Sequence, residues 1–484
     1  MIPVPSFANK RVAVMGLGVA GLATARALAA SGADVLAWDD SEAGRTAAAA
    51  AGIAATDLGA VDWTADLPLV LSPGIPDEFP APHPVAAAAR AAKAEILCDI
   101  ELLARSVPAA TCVTVTGTNG KSTTTALIGH ILRAAGRRVE VGGNFGPPAL
   151  GLEPLDAGGI YVLELSSYQL DRTYSLRAKA TVLLNIAEDH LERHGGLDGY
   201  IAAKRRTFDL AAPNATVVVG VDDPEARALA SQAEEAGQTV IRVSGRKHVE
   251  GGVGVLDGIL RDDTADGSGS AGVPVDPGGT TALRGAHNHQ NAAAAWAACR
   301  ALGVAPETVA AAFATFSGLP HRQERVGEAS NGGRTVSFVN DSKATNAVAS
   351  ARALSTYGNI FWIAGGRGKL GGYAALAPAL AGLRGAFLIG EDAPAMARFL
   401  AGAAPSAPVT VSGTLDQAVA DAWTAATSED APANSVILLS PACASFDQFA
   451  NFGARGDAFR KSARNLIARN PSDRYPIDRT GGAA

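Results

Sequence analysis

The run T-V-T-G-T-N-G-K-S-T-T-T, residues 114–125, constrains the fold of this chain more than any other stretch. The apolar residues 112–115 predict a short buried strand and residues 122–134 predict a helix, with a glycine turn between them. In such a layout the backbone N–H groups of the turn and of the helix start face an anion. Lys121 adds a positive charge, and Ser122 stands where a phosphate loop places a ligand for Mg²⁺. The run therefore predicts a strand–loop–helix unit that binds a nucleoside triphosphate.

This run matches the general phosphate-loop pattern only in part. Val115 occupies the position of the first glycine in G-x-x-x-x-G-K-[ST], so that the chain carries the shorter form G-T-N-G-K-S at residues 117–122. An ordinary glycine turn between a strand and a helix is the alternative interpretation. The order of strand, turn, Lys-Ser and helix favours the phosphate loop.

Composition narrows the class of protein. The 484 residues suit two to four domains, and 48% hydrophobic with 18% charged residues is typical of a well-packed globular chain. A net charge of −6 without a Lys/Arg block argues against nucleic-acid binding, and no apolar run reaches the length of a membrane span. The start M-I-P-V-P-S-F lacks the pattern of a signal peptide. We therefore expect a cytoplasmic protein that binds neither nucleic acid nor a membrane, with four buried, unpaired thiols: Cys98, Cys112, Cys299 and Cys443.

The N-terminal region carries two glycine turns. G-L-G-V-A-G, residues 16–21, follows a predicted strand at 11–15, and the acidic pair Asp39 and Asp40 follows the next strand. This pattern is typical of dinucleotide binding, and a nucleotide-sugar diphosphate is an equally good ligand for it. The second turn, S-P-G-I at residues 72–75, follows a strand at 69–71. Two such turns side by side predict a ligand crevice, although a plain turn is the alternative for the second.

Two strands after the phosphate loop carry polar residues. Glu164 lies in the apolar strand 161–167, where a charge is costly unless it is paired or bound to a metal. We expect a Mg²⁺ ligand there, with a structural salt bridge as the alternative. The strand at 180–184 runs into N-I-A-E-D-H, which ends at His190. A metal ligand and a polar contact to substrate are both open for His190.

Further along the chain, three features can be explained without a functional role. Lys204 lies on a predicted helix, and its spacing alone favours a solvated basic face. Asn288 and Asn291 open the next helix, as a cap or as contacts to a nucleotide. Residues 245–285 are rich in Gly, Asp and Ser, and they predict a loop or a small β insertion of low order.

The C-terminal region predicts another open α/β sheet. L-P-H-R, residues 319–322, marks a junction, after which four apolar strands alternate with helices. Lys343 and Lys369 follow two of these strands, and two cations at one edge suit a small substrate rich in carboxylates. Surface solvation is the alternative for each lysine.

Seven motifs in one order carry a family resemblance. They are G-T-N-G-K-S-T, E-L-S-S-Y-Q-L, N-I-A-E-D-H-L, H-N-x-x-N, L-P-H-R, N-D-S-K-A-T-N and S-P-A-C-A-S-F-D-Q-F-x-N-F-x-x-R-G. Over nearly its whole length the chain resembles the Mur ligases of peptidoglycan synthesis, and it is most similar to the members that add D-glutamate to UDP-N-acetylmuramoyl-L-alanine. The resemblance implies an ATP-dependent amide ligase with an acyl-phosphate intermediate and two Mg²⁺ ions. We expect a monomer that acts on small molecules.

The resemblance also implies the fold and its domains. We expect an α/β protein of three domains: an N-terminal Rossmann-like domain that binds the UDP-sugar (1–108), a central P-loop ATPase-type domain with a mostly parallel sheet that binds ATP (109–318), and a C-terminal Rossmann-like domain that binds the amino acid (319–484). The N-terminal glycine turn would then hold the UDP part and not a nicotinamide cofactor.

The family motifs assign roles to individual positions. Catalytic roles fall on Lys121, Glu164, His190 and Lys204, with Ser122, Glu164, His190 and Lys204 as metal ligands and Lys204 N-carbamylated. The implied ATP contacts are Gly117, Thr118, Asn119, Gly120, Lys121, Ser122, Thr123, Asn291, Arg322 and Asp341. The UDP-sugar would face Val19, Ala20, Asp39, Asp40, Ser41, Ser72, Gly74 and Asn144. D-Glutamate would contact Lys343, Thr345, Lys369, Ser445, Phe446 and Phe452.

The chain departs from the family pattern at several positions. Arg367 and Gly368 precede Lys369 where the family often has an acidic residue, Phe446 stands where an aliphatic residue is common, and Ser41 replaces a basic residue seen in some members. These departures concern contacts to uracil and D-glutamate and not the reaction. Two other classes compete with a ligase. A nicotinamide-dependent oxidoreductase leaves the second phosphate loop and Glu164 unexplained, and a non-catalytic nucleotide switch predicts ATP binding without hydrolysis stimulated by an amino acid. Among the siblings, the absent D-N-P-R signature argues against the diamino-acid-adding member.

Overall fold

The computed structural model describes residues 1–264, 272–277, 282–368 and 372–472, and it contains three β-sheets flanked by helices. These residues divide into two compact units: 1–264 and 272–277 with 285–316, and 282–284 with 317–368 and 372–472. The first unit contains the N-terminal and the central sheets, and the second contains the C-terminal sheet. The α/β class predicted from the sequence is confirmed, and the division into three domains stays a prediction. Of the helices in the described ranges, none is long and apolar enough to cross a membrane.

The N-terminal sheet is a small parallel sheet with strand order β2-β1-β3-β4. Its strands are β1 (Arg11–Met15), β2 (Asp34–Trp38), β3 (Leu69–Leu71) and β4 (Ile96–Leu97), and its helices are α1 (Val19–Ala30), α2 (Glu42–Ala50), α3 (Pro84–Ala91) and α4 (Asp99–Ser106). Alternate residues of β1 enter cores on opposite faces of the sheet: Val12 and Val14 on one, Ala13 and Met15 on the other.

The central sheet has nine strands in the order β13-β12-β11-β10-β9-β8-β5-β7-β6. The neighbours in the part β11-β10-β9-β8-β5-β7-β6 pair in parallel. The strands are β5 (Thr111–Thr116), β6 (Val139–Gly143), β7 (Ile160–Glu164), β8 (Ala178–Leu183), β9 (Ala211–Gly220), β10 (Thr239–Ser244), β11 (Val253–Leu256), β12 (Ile259–Asp262) and β13 (Val273–Pro274). The helices are α5 (Lys121–Ala134), α6 (Ser167–Asp171), α7 (Leu197–Arg205), α8 (Pro224–Glu235), α9 (Ala286–Ala301) and α10 (Pro306–Thr315). Strands in the middle of the sheet are buried on both faces, and this is why they appear in the sequence as continuous apolar runs.

Part of the stretch 245–285 is more regular than its composition suggested. Strands β11, β12 and β13 extend the central sheet, with Val253, Val255 and Leu260 buried. Trp296 on α9 donates from Nε1 to Oδ2 of Asp262 over 2.8 Å and anchors this extension. Within the described residues the stretch is therefore a β insertion and not a loop. Residues 265–271 and 278–281 lie outside the described residues.

The C-terminal sheet has the order β14-β15-β19-β16-β17-β18, with β14 antiparallel to β15 and the remaining pairs parallel. Its strands are β14 (Glu324–Asn331), β15 (Arg334–Asn340), β16 (Ile360–Gly365), β17 (Leu383–Ile389), β18 (Val409–Gly413) and β19 (Asn434–Leu439), and its helices are α11 (Ala347–Leu354), α12 (Ala393–Ala403), α13 (Leu415–Ala426) and α14 (Phe452–Arg469). The four apolar strands predicted from the sequence are present. The two additional strands, β14 and β18, form the edges of the sheet.

Short 3-10 turns complete the described structure, at Pro5–Phe7, Ala149–Gly151, Leu191–Arg193, Arg206–Phe208 and Ala374–Gly382. The expectation for the cysteines is confirmed, because all four are free and buried.

Candidate phosphate and substrate sites

The loop between β5 and α5 forms an open backbone cradle. Gly117 and Gly120 have φ angles of 142° and 85°, a region that favours glycine. A Cβ atom at Gly120 would lie 2.2 Å from Oδ1 of Asn291, so any other residue would have to displace the Asn291 side chain and also adopt an unfavourable φ. Asn291 is buried and donates from Nδ2 to Oδ1 of Asn288 over 3.1 Å. The two asparagines are therefore a bonded pair packed beside the loop.

Lys121 begins α5 and folds back over the loop. Its Nζ donates to the carbonyl oxygens of Gly117 and Thr118, each over 3.0 Å. The positive charge therefore lies over the loop, at the end of a helix whose first N–H groups lack intrahelical partners. Ser122, the next residue, is 5% exposed. This arrangement can bind a phosphate group.

The loop is tied to the segment that follows β8. The N–H of Asn119 donates to Oδ1 of Asn185 over 2.9 Å, and the N–H of Ala187 donates to Oγ1 of Thr118 over 3.0 Å. Strand β5 lies between β7 and β8, with Val115 paired to Glu164. Parallel strands end at one sheet edge, so Lys121, Glu164 and the 185–190 segment are brought to the same edge.

Glu164 is the last residue of β7 rather than an interior one. Its side chain is 2% exposed, and Oε1 accepts a hydrogen bond from Nδ2 of Asn144 over 2.7 Å. Oε2 is buried without a hydrogen-bond partner, and no ion pair to Glu164 occurs within the described ranges. The salt-bridge alternative is therefore not supported. A buried carboxylate oxygen without a donor is what a hard cation such as Mg²⁺ requires.

Lys204 is buried, and the prediction of a solvated basic face was wrong. The side chain is 1% exposed, because α7 packs it under the phosphate loop, where Nζ donates to Oγ1 of Thr116 over 3.3 Å. Burial, with the nearby charge of Lys121, lowers the pKa of Lys204 well below its ordinary value. The helical pattern alone did not predict this burial. The ring of Tyr200, one turn earlier, covers the amine, and its centroid lies 5.0 Å from Nζ.

His190 is half exposed at the start of the segment that leads into α7. It has a left-handed φ of 53°, and its Nε2 lies 3.6 Å from Oδ2 of Asp189. Its ring contacts the ring of Tyr168 at a centroid distance of 5.4 Å. Within the described residues no group of three His, Cys, Asp or Glu side chains is arranged to hold a metal. A metal here would need oxygen ligands from other residue types.

The crevice predicted at the N-terminal sheet is organised by Asp39. The N–H of Leu17 donates to its Oδ2 over 2.6 Å, and the hydroxyl of Ser41 donates to Oδ1 over 2.6 Å. Burial alone would raise the pKa of Asp39, but hydrogen bonds from Ser41 and Leu17 outweigh it and lower the pKa. Ser41 also caps α2, and Asp40 lies 2.9 Å from Nε2 of His83.

The two glycine turns of that sheet contact each other. The hydroxyl of Ser72 donates to the carbonyl of Gly16 over 2.8 Å, and a Cβ atom at Gly21 would lie 1.7 Å from that same oxygen. Helix α1 therefore starts directly against the first turn, with Val19 exposed and Ala20 beside it. Their N–H groups belong to the first turn of the helix, which can accept an anion.

In the second unit, Asp341 lies at the end of β15. Its Oδ2 accepts from the hydroxyl of Ser440 over 2.8 Å, and its Oδ1 accepts from the N–H of Gln323 over 3.2 Å. Burial raises the pKa of Asp341 to about 7. Arg322, the other ATP contact predicted in this unit, lowers this pKa only as a lesser influence.

Of the residues predicted to bind the amino acid, Lys343, Thr345 and Phe452 lie together at the loop after β15. Nζ of Lys343 lies 4.0 Å from the ring centroid of Phe452, and the N–H of Thr345 donates to the carbonyl of Lys343 over 2.8 Å. Ser445 is buried, whereas Phe446 is 65% exposed. Lys369 lies outside the described residues.

Comparisons with known proteins show which protein family the chain belongs to. A profile of the Mur ligase middle domain matches residues 115–299. The UDP-N-acetylmuramoylalanine–D-glutamate ligase of Phenylobacterium zucineum is 50% identical over 96% of this chain and 98% of its own length. The ligase of the same name from Caulobacter vibrioides is 49% identical over 97% and 98%. The chain belongs to the Mur ligase family. The fold also resembles UDP-N-acetylmuramate–alanine ligase MurC from Thermotoga maritima, with a TM-score of 0.55 and 16% identity over 95% of this chain and 99% of that one.

This Mur ligase contains an arginine that the motif assignment passed over. Arg455 on α14 is 1% exposed and donates from Nη2 to the carbonyls of Ser342 and Cys443 over 2.9 and 3.1 Å. Its Nε donates to the hydroxyl of Ser342 over 3.0 Å, and Nη1 approaches the carbonyl of Gly365 at 3.5 Å. It therefore joins the end of β16 to the loops that follow β15 and β19. The motif F-x-x-R-G contains this arginine, but a sequence does not reveal that its partners are carbonyls.

Several aromatic residues of the Mur ligase were missed as well. Tyr168, His194 and Tyr200 form a stack beside His190 and Lys204, with His194 on the ring of Tyr168 at 5.4 Å. Burial lowers the pKa of His194 to about 4, so that the ring is neutral at pH 7. The spacing of Tyr200 and Lys204, one helical turn apart, was the available signal.

Proposed function

We propose that this chain joins D-glutamate to UDP-N-acetylmuramoyl-L-alanine at the expense of ATP, in the cytoplasmic synthesis of peptidoglycan precursors. The geometry that carries the proposal is the cradle of residues 117–121 beside the buried, partnerless Oε2 of Glu164. A cradle and an unsatisfied carboxylate at one sheet edge suit a metal-bound triphosphate. The choice of acceptor and amino acid rests on relatives of that name, similar to this chain over nearly the full length of both.

In the proposed reaction the alanyl carboxylate of the acceptor takes the γ-phosphoryl group of ATP, and ADP leaves. The amine of D-glutamate then attacks the acyl carbon, the C–O bond to phosphate breaks, and the amine proton is released. Lys121 disperses negative charge on the transferring group, and the N–H groups of residues 117–123 orient the phosphates. Water must be kept from the acyl phosphate, which would otherwise hydrolyse.

Two Mg²⁺ ions suit the residues at this edge. Ser122 and Glu164 would hold one, since Oε2 of Glu164 is buried without a donor among the described residues. His190 and Lys204 would belong to a second site. Bound there, the ions would neutralise charge on the triphosphate.

Lys204 would serve the second site as an N-carbamate. An amine with a lowered pKa is neutral and nucleophilic at neutral pH, and this is the form that adds carbon dioxide with loss of one proton. The carbamate is an anion with two oxygens, and the charge of Lys121 nearby would favour it. Activity of Lys204→Ala restored by bicarbonate or formate, but not by chloride, would support the carbamate. Full activity without rescue would refute it.

The remaining assignments follow the same proposal. The UDP-sugar would lie between the two glycine turns of the N-terminal sheet, near Asp39 and Ser72, with Asn144 beside Glu164. Asn291, Arg322 and Asp341 would contact ATP. D-Glutamate would bind the second unit through Lys343 and its neighbours, with Lys369 as a further cation. The enzyme would act as a monomer on these small molecules, with neither nucleic acid nor a membrane as a partner.

The decisive experiment measures ADP formation with and without each substrate. ADP should form only when ATP, UDP-N-acetylmuramoyl-L-alanine and D-glutamate are all present, and other amino acids should not replace D-glutamate. Lys121→Ala should reduce the rate at least about 100-fold, as expected for loss of one charge stabiliser. Lys179→Ala, at an exposed lysine on β8, is the matched control and should keep the parental rate. ADP formation that ignores D-glutamate would refute the proposal.

A further inference from the structure

The second glycine turn of the N-terminal sheet is held by two arginines of the central part. Arg172 is buried and donates from Nη2 to Oδ1 of Asp77 over 2.7 Å and to the carbonyl of Ile75 over 3.2 Å. Arg193 donates from Nη1 to the carbonyl of Gly74 over 2.8 Å. Arg172 is a structural anchor with a carboxylate partner. Arg193, in contrast, belongs to the segment that leads into α7, three residues after His190.

Arg193 has few other constraints. Its guanidinium lies 4.5 Å from the ring centroid of Tyr168, and its Nε is buried without a hydrogen-bond partner among the described residues. The carbonyl of Gly74 and one aromatic face therefore set its position. The same ring of Tyr168 contacts His190 and His194, each at a centroid distance of 5.4 Å. A shift of the Gly74 carbonyl would therefore change the positions of Arg193 and the Tyr168 ring, and with them the packing of His190 and His194.

The contacts continue to the phosphate loop. His194 meets the edge of Tyr200 at 5.5 Å, and the hydroxyl of Tyr200 lies 2.9 Å from Oγ1 of Thr118. Thr118 lies in the cradle between Gly117 and Gly120. An unbroken path of packed side chains therefore joins Gly74, Arg193, Tyr168, His194, Tyr200 and Thr118.

We propose that Arg193 is a positioning residue that couples the occupancy of the sugar-nucleotide crevice to the affinity of the triphosphate cradle. This rests on the proposed function, which assigns the two ligands. An acceptor that fixes the turn 72–75 fixes the Gly74 carbonyl, and with it Arg193, the ring of Tyr168 and the far end of the path at Thr118. By linkage, the triphosphate must raise the affinity for the acceptor by the same factor.

The test measures binding of the β,γ-imido analogue of ATP with Mg²⁺ by calorimetry, with and without saturating UDP-N-acetylmuramoyl-L-alanine. For the parent chain we expect the acceptor to tighten binding at least about 5-fold, the lower bound of typical coupling. In Arg193→Met the ratio should fall to about one. Tyr168→Leu, which removes the aromatic platform instead, should do the same and decides the test if Arg193→Met does not fold. A merely structural role would weaken both binding measurements alike and leave their ratio unchanged.

Arg177→Met is the matched control. Arg177 is exposed and also donates to backbone carbonyls, those of Tyr174 and Leu176, so the substitution removes the same kind of bond away from the path. It should keep the parental ratio. A parental ratio of one, or an unchanged ratio in folded Arg193→Met, would overturn the coupling; if Arg193→Met does not fold, an unchanged ratio in Tyr168→Leu would overturn it. If ADP formation in the parent still requires D-glutamate, the proposed function survives that outcome; if it does not, the function itself has failed.

Discussion

Arg455→Met gives the sharpest test of how the second unit is held together. The guanidinium is buried, and within the described residues it donates hydrogen bonds to the carbonyls of Ser342, Cys443 and Gly365 and to one hydroxyl, but to no carboxylate. Methionine fills similar space but donates no hydrogen bond. The carbonyls of Ser342 and Cys443 would then be buried without donors, at about 1–3 kcal/mol each.

The net loss should be about 2–5 kcal/mol, since the arginine stem is already buried and methionine adds little apolar burial. Burial lowers the pKa of Arg455 to about 10, so the guanidinium still carries its charge at pH 7. Removing this buried charge offsets part of the loss of stability. That offset is smaller than the cost of two orphaned carbonyls, because the carbonyl oxygens already solvate the cation.

Amide hydrogen exchange followed by mass spectrometry measures this loss unit by unit. Peptides from β15, β16 and β19 should lose protection by about 30-fold or more, because each factor of ten corresponds to about 1.4 kcal/mol. Peptides from β5, in the other compact unit, serve as an internal reference and should not change.

Arg464→Met, the same substitution at an exposed position of α14, should stay within about 0.5 kcal/mol of the parent. A loss below tenfold at β15, β16 and β19, or one equal to that of Arg464→Met, would refute the reasoning that Arg455 joins the ends of these three strands.

Two further predictions concern buried titratable groups. Lys204→Met should abolish ADP formation yet raise the free energy of unfolding by about 1–4 kcal/mol in buffer free of carbon dioxide, because a buried amine is replaced by an apolar side chain; urea unfolding that shows a loss would contradict this. Asp341 has a pKa raised by burial from 3.8 to about 7, so between these pH values the folded state holds a proton that the unfolded state has lost, and its contribution to stability is full below pH 3.8 and falls as the pH rises to 7. At about 1.36 kcal/mol per pH unit, the parental unfolding free energy measured against that of Asp341→Asn should drop by about 4 kcal/mol over this window. A difference that is flat with pH would show that the carboxyl is not held protonated.

Much of the candidate site follows from local sequence. The order of apolar run, glycine turn, Lys121 and Ser122 predicted the cradle, because phosphate binding by a loop depends on backbone geometry within a few residues. Glu164 was predicted to be functional because a carboxylate in an apolar run has few inexpensive explanations. The neighbouring positions of β5, β7 and β8 come from the strand pairing in the structure, which is parallel.

Other residues acquire their meaning only from distant parts of the chain. Lys204 has the sequence context of a surface lysine, and its burial depends on the packing of α7 under the phosphate loop. Arg455 lies 113 residues from Ser342 and 90 from Gly365, and the hydrogen bonds between them exist only once the C-terminal sheet has formed. Arg193 meets Gly74 across 119 residues. Local sequence therefore determined the backbone cradle, since its conformation depends on a few neighbouring residues, whereas tertiary packing decided which cations are buried and which parts of the chain they join.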